Sequence, residues 1–201
     1  LSHQCLYSTS YFYHTIMTYT KVSIPKASEG AGAATIKNPT IIIMDVEDIT
    51  AEPTRTVGNT ELQGNFTLAS GAKAVGIYAT PSSISITEES SGEVDARSCI
   101  KGVEYVHPGD SVDISNHAEA YMNKGCVIIV RECDGTSSGR ARVVGSKCNP
   151  VYLQPEYTNS NEATNRKIVW KQAQGDKFVT ATYGGTIPTI ADPPTPSSET
   201  V

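Results

Sequence analysis

The chain has 201 residues, of which 38% are hydrophobic and 18% charged, with a net charge of −5. That length fits one domain with tails, and the apolar fraction is enough for a core. The acidic balance argues against duplex binding, which needs a basic face, and no apolar run approaches the roughly 20 residues of a spanning helix, so no membrane association is expected.

Residues 1–16 (LSHQCLYSTSYFYHTI) hold four of the 14 aromatic residues and no Lys, Arg, Asp or Glu. They lack the positive start and continuous apolar stretch of a signal peptide. Met17 then opens an ordinary protein start, so residues 1–16 are expected to be an atypical leader outside the fold. Residues 17–40 are rich in small residues (ASEGAGAAT) and read as an extended arm. A single β domain is expected over residues 41–187. Residues 188–201 (PTIADPPTPSSETV) are too poor in apolar residues to pack and read as a flexible tail.

Within the domain, residues 41–44 (IIIM) group three β-branched side chains and predict a strand. Residues 51–64 contain Pro53, Gly58 and Gly64 without a period and read mostly as loop. Strands are predicted over 65–68 and 75–79, around a turn at Ser70-Gly71. Ile84 and Ile86 alternate with Ser83, Ser85 and Thr87, the two-residue period of a half-buried strand. Ser90-Ser91-Gly92 marks a turn among Glu88, Glu89, Glu93 and Asp95. Val103, Tyr105 and His107 alternate with Gly102, Glu104 and Val106, and Pro108-Gly109 ends that strand.

One helix is predicted, over residues 113–124. Asn116 and Glu119 have capping-box spacing, with Ser115 or Asp113 as alternative caps, and Gly125 suits a left-handed stop. Residues 126–131 (CVIIVR) predict a buried strand, 134–139 (DGTSSG) a hairpin loop, and 140–145 the returning strand. A strand follows from Val151 through Leu153 and Tyr157, then a polar loop over 158–165. Ile168 and Trp170 alternate with Lys167 and Lys171, and residues 177–183 are predicted to pair with them across Gly175-Asp176. Eight to ten short strands and one helix make the expected fold mainly β: an antiparallel β-sandwich or barrel with one flanking α-helix.

No constellation of catalytic residues emerges. His107 and His117 have no nucleophile in a recognisable frame and read as solvated. No cysteine pair has CxxC spacing, so no metal site is expected. Cys126 reads as a buried free thiol, and Cys133 and Cys148 flank a hairpin across which they could face each other. Glu88, Glu89, Glu93 and Asp95 lack calcium-loop spacing and read as a solvated acidic loop. Phosphate-cradling motifs are absent, so no cofactor is expected. Trp170 reads as core or interface packing rather than a sugar platform. Residues 41–120 carry thirteen acidic residues against four basic ones, while residues 121–201 carry nine basic against seven acidic. In a chain that stacks on its own copies, such unlike faces could meet head to tail.

Residues 107–172 carry a recognisable series. A helix leads to CVIIVREC, a DG hairpin to RVVGSKCNP, and a Tyr-containing strand PVYLQPEY to a polar loop around NEATNRK. This series resembles the major tail tube and related tail structural proteins of bacteriophages and prophages, especially those of Bacteroidetes hosts. A weaker likeness extends to the acidic segment ITEESSGEVDARS.

The resemblance implies a non-enzymatic virion protein. Two antiparallel sheets flanked by a helix would assemble into homo-oligomeric rings, commonly hexameric, that stack into a tube beside other tail proteins. The genome would pass through the bore without specific binding. It further implies inter-subunit or lumen contacts for the GAGAAT arm and for the loop carrying Glu88, Glu89, Glu93, Asp95 and Arg97. From a different class, a secreted or surface β-sandwich module recognising a glycan or protein is the alternative expectation.

Overall fold

A computed structural model describes residues 21–27, 32–56, 58–133, 140–160 and 164–193. The expected leader, the hairpin loop at 134–139 and residues 194–201 lie outside the described residues. In chain order the strands are β1 (Lys37–Asp45), β2 (Ile49–Ala51), β3 (Thr54–Arg55), β4 (Glu61–Gln63), β5 (Thr67–Leu68), β6 (Val75–Tyr78), β7 (Ser85–Ser91) and β8 (Ser98–Pro108). After the helix α1 (Val112–Tyr121) come β9 (Cys126–Glu132), β10 (Ala141–Val144), β11 (Val151–Asn159), β12 (Thr164–Gln172) and β13 (Ala181–Tyr183). The described residues are mainly β, with two sheets and one α-helix.

The larger sheet has eleven strands in the path β3-β4-β13-β10-β9-β11-β12-β8-β7, with β1 pairing both β9 and β6; β2 and β5 form the second sheet. The ends of the path, β3 and β7, do not meet, so the sheet is not closed and the expectation of a barrel is corrected. The reason lies beside β7, where an open cleft separates it from Lys37, Glu132 and Arg142 of the neighbouring strands.

Strands β1 and β9 are buried on both faces, which explains their unbroken apolar runs. Ile41 and Ile43 of β1, with Cys126, Ile128 and Val130 of β9, face one core. Across that core stand Val103 and Tyr105 of β8, Ile168 and Trp170 of β12, Val151 and Leu153 of β11, and Ile114 and Ala118 of α1. The alternate residues Ile42, Met44, Val127 and Ile129 face a second core with Phe66, Ala141, Val143 and Tyr183. Each such fully buried Ile or Val stabilises the fold by about 1.5–3 kcal/mol relative to exposure.

Proline marks two irregular places. Pro39 sits inside β1 where the register with β9 shifts between Lys37 and Ile41, a position that tolerates its missing N–H. Pro155 lies on β11 beyond Val151, the one residue of β11 bonded to β9; further along, β11 pairs with β12 alone.

Four expectations need revision. The helix starts at Val112, one residue before the expected start, and its cap is none of the expected Asn116, Ser115 or Asp113, because Ser111 Oγ accepts the Ile114 N–H at 3.4 Å. Gly125 is no left-handed stop: a Cβ there would come 2.9 Å from Pro150 Cγ, so close approach requires the glycine. The final hairpin is absent because both edges of β12 are taken by β11 and β8. Residues 181–183 pair instead with β10 and, in parallel, with β4. Cys133 and Cys148 are both free, since they lie at opposite ends of the β9–β10 pair.

Of the expected tail, residues 188–192 are docked on the domain. Thr189 O accepts the Ala74 N–H at 2.9 Å, Ala191 N–H donates to Ala74 O at 2.8 Å, and Ile187 and Ile190 pack against the second core. The arm residues 21–27 are exposed throughout.

Candidate functional site

The acidic segment singled out by the sequence divides between a strand and a turn. Glu88 and Glu89 lie on β7, whose pairing with β8 runs from Ser85↔Glu104 to Ser91↔Ser98. Alternation sends their side chains to opposite faces. Glu88 Oε1 accepts the Thr180 N–H at 2.7 Å, while Glu89 pairs with Lys171 at 2.8 Å on the exposed face. Glu93, Asp95 and Arg97 occupy the exposed turn, which the Ala96 N–H closes onto Glu93 O at 3.1 Å. Gly92 (φ 98°) and Asp95 (φ 70°) make the reversal, and a Cβ at Gly92 would meet Ala96 O at 2.4 Å. The five residues thus share one hairpin but do not converge on a common point.

β7 ends the sheet path, so among the described residues one of its edges has no strand partner. Beside that edge lies a cleft of about 450 Å³ lined by Lys37, Ile84, Ser85, Ile86, Glu88, Glu132, Arg142 and Thr180. Glu132 serves both cations there, at 3.7 Å from Lys37 and 3.5 Å from Arg142. The Thr180 hydroxyl is buried without a hydrogen-bond partner.

A second polar centre was missed by sequence reasoning. Lys101 is 5% exposed, and its Nζ donates to Asp176 Oδ1 at 2.6 Å and to Phe178 O at 2.8 Å. Asp176 Oδ1 also accepts the Phe178 N–H at 2.8 Å, and Asn149 Nδ2 reaches Oδ2 at 3.0 Å. Gln172 Oε1 accepts the Lys101 N–H at 3.0 Å, and Gln172 Nε2 donates to Asn149 O at 2.9 Å. Burial alone would raise the Asp176 pKa, but hydrogen bonds from Lys101, the Phe178 N–H and Asn149 hold it below the usual carboxylate value. A signal for this centre existed. Lys101 continues the inward row of Val103 and Tyr105, and Gln172 that of Ile168 and Trp170, so each is a polar residue at a core position. A cavity of about 400 Å³ opens above them, walled by Leu62, Phe66, Val143, Phe178, Val179 and Ala181.

The histidines differ from expectation in one case. His107 stays at the surface, with Nδ1 2.8 Å from Tyr78 O. His117 is not solvated: its ring stacks on Tyr121 at 4.4 Å and meets Trp170 edge-on at 6.4 Å. Burial lowers its pKa from the ordinary 6.5 to about 4. Trp170 is fully buried, and its Nε1 donates to the Tyr105 hydroxyl at 3.3 Å. Cys126 is fully buried, with its thiol pushed up to about 12. Among the described residues no three His, Cys, Asp or Glu side chains come together as metal ligands, and no helix is long and apolar enough to cross a membrane. The chain matches no family model, no curated protein and no solved structure.

Proposed function

We propose that this chain is a structural subunit that assembles with copies of itself, as its resemblance to bacteriophage tail tube proteins implies. In this reading two layers of antiparallel strands form a sandwich with α1 on its flank. Copies join into rings, expected to be hexameric, which stack around a bore that lets a genome pass without specific binding. The protein would be made in the bacterial cytoplasm and act in the virion beside other tail proteins, with no catalytic residue or cofactor.

The observation that carries this reading is the pair of long edges without strand partners among the described residues, β7 and β11 beyond Val151. Unpaired edges are templates for joining sheets between chains, and ring formation would satisfy them. The test is light scattering across a concentration series with negative-stain microscopy of the same samples. Rings or tubes of uniform diameter are the expected result; a monomer at every concentration, in solution and in the native particle, would overturn the reading.

The cavity above Lys101 favours the second reading, a surface β-sandwich module that recognises a glycan or protein. Apolar walls around a few converging polar groups are the common form of a ligand pocket. A monodisperse monomer that binds a glycan array would support it over assembly.

A further inference from the structure

The free edge of β7 and the exposed arm answer each other. Antiparallel pairing with β8 uses one edge of β7, and the other borders the cleft described above. On its inward face β7 continues the row begun by buried Ile84 with half-buried Ile86, so the apolar layer stops short at this edge. Thr180 stands in the cleft wall at 6% exposure, and its hydroxyl has no hydrogen-bond partner. Buried hydroxyls nearly always have one, so the wall of the cleft holds a polar group that its own chain leaves unsatisfied.

The arm has complementary features. Val22 is 62% exposed and Ile24 84% exposed, and they alternate with Lys21 and Ser23. In an extended strand Val22 and Ile24 share a face, which would prolong the Ile84–Ile86 row. Backbone groups alternate in direction as well. With the amides of Val22 and Ile24 turned toward β7, Pro25, which lacks an N–H, faces outward, where a strand accepts proline. Residues 21–26 contain two lysines and no acid, whereas residues 85–97 contain four acids and one arginine. The arm is thus net positive and the β7 hairpin net negative, while the cleft itself is balanced, with Lys37 and Arg142 against Glu88 and Glu132. The chain's own arm is exposed along residues 21–27, so its own edge does not hold it.

We propose that residues 21–26 of one copy add as a strand to the free β7 edge of a second copy, covering the cleft that Thr180 lines. The inference rests on the self-assembly reading and names the contact through which copies join. Main-chain bonds would supply affinity, and the Val22 and Ile24 side chains would supply register.

The test uses the full-length chain with the photo-crosslinker benzoylphenylalanine in place of Ile24. Labelled and unlabelled chains are mixed so that mass spectrometry separates crosslinks between copies from those within one. Adducts between copies that fall on residues 84–91 are expected, and adducts elsewhere or only within one chain would overturn the proposal. Independently, Ile24→Asp should raise the concentration at half-assembly about tenfold or more while leaving the melting temperature unchanged, because the arm is outside the core. Unaltered assembly of that variant would also overturn it. If the chain assembles but either result fails, only the arm contact falls. If the unmodified chain never assembles, both readings fall together.

Discussion

Acidification should weaken the packing around His117, and the size of the effect follows from the site. The imidazole lies half-buried on α1, stacked on Tyr121 and edge-on to Trp170, with its Nε2 buried and without a hydrogen-bond partner. Neither aromatic neighbour offers a negative charge to receive a proton. Burial therefore holds the folded-state pKa at about 4, against 6.5 in an open chain. Between those values the unfolded chain binds more protons than the folded one, so stability is complete above pH 6.5 and falls as pH drops toward 4. At 1.36 kcal/mol per pKa unit the loss would reach about 3 kcal/mol. Solvent screening of a half-buried ring reduces this to about 2 kcal/mol, or a melting-temperature loss of about 4–8 °C.

The assay is denaturant unfolding at pH 7.5 and 4.5, for the natural chain and for His117→Phe. Phenylalanine keeps a ring at the stack but removes the titration. Carboxylates such as Asp176, whose lowered pKa makes them acid-sensitive too, contribute equally in both proteins and cancel in the difference. His117→Phe should lose about 2 kcal/mol less on acidification. Equal losses in the two proteins would refute the reasoning.

Other perturbations test the remaining structure. Asp176→Asn leaves the Lys101 ammonium buried without its counter-ion and should cost about 3–5 kcal/mol in urea unfolding, with a second change Lys101→Met recovering most of it; no recovery would show that the ion pair is not the source of the loss. Trp170→Ala removes the largest fully buried side chain and should cost about 3–5 kcal/mol, read from the same transition. In the native state, iodoacetamide should label exposed Cys133 and Cys148 but not Cys126, whose thiol is buried; peptide mapping checks this, and rapid labelling of Cys126 would contradict its place in the core.

What the sequence disclosed follows from how each element is buried. β1 and β9 announced themselves as apolar runs because both faces are covered. β8 and β12 showed strict alternation because Val103, Tyr105, Ile168 and Trp170 point inward while Glu104 and Lys167 meet outside at 3.3 Å. The helix was visible but its start was not: capping-box spacing at Asn116 and Glu119 arises easily in a polar stretch, and the hydroxyl that caps the helix belongs to Ser111. The last strand was misplaced because its partners, β10 and β4, are remote in sequence, and local spacing favours a hairpin. Lys101 and Asp176 are 75 residues apart, so no motif could join them. Glu88 and Glu89 were legible as an acidic segment, but not as occupants of a free sheet edge.

The pairing of β1 with β9 also sets the order of events during synthesis. Residues 41–45 find their partners at 126–130, so the first strand of the sheet leaves the ribosome long before the strand that shields it. Until then an isoleucine-rich segment has only the short strand β6 to pair one of its edges, its other edge stays open, and closing so long a loop slows folding. A chain that halts before residue 126 should therefore depend on chaperones, whereas one released after β9 can close its central layer unaided.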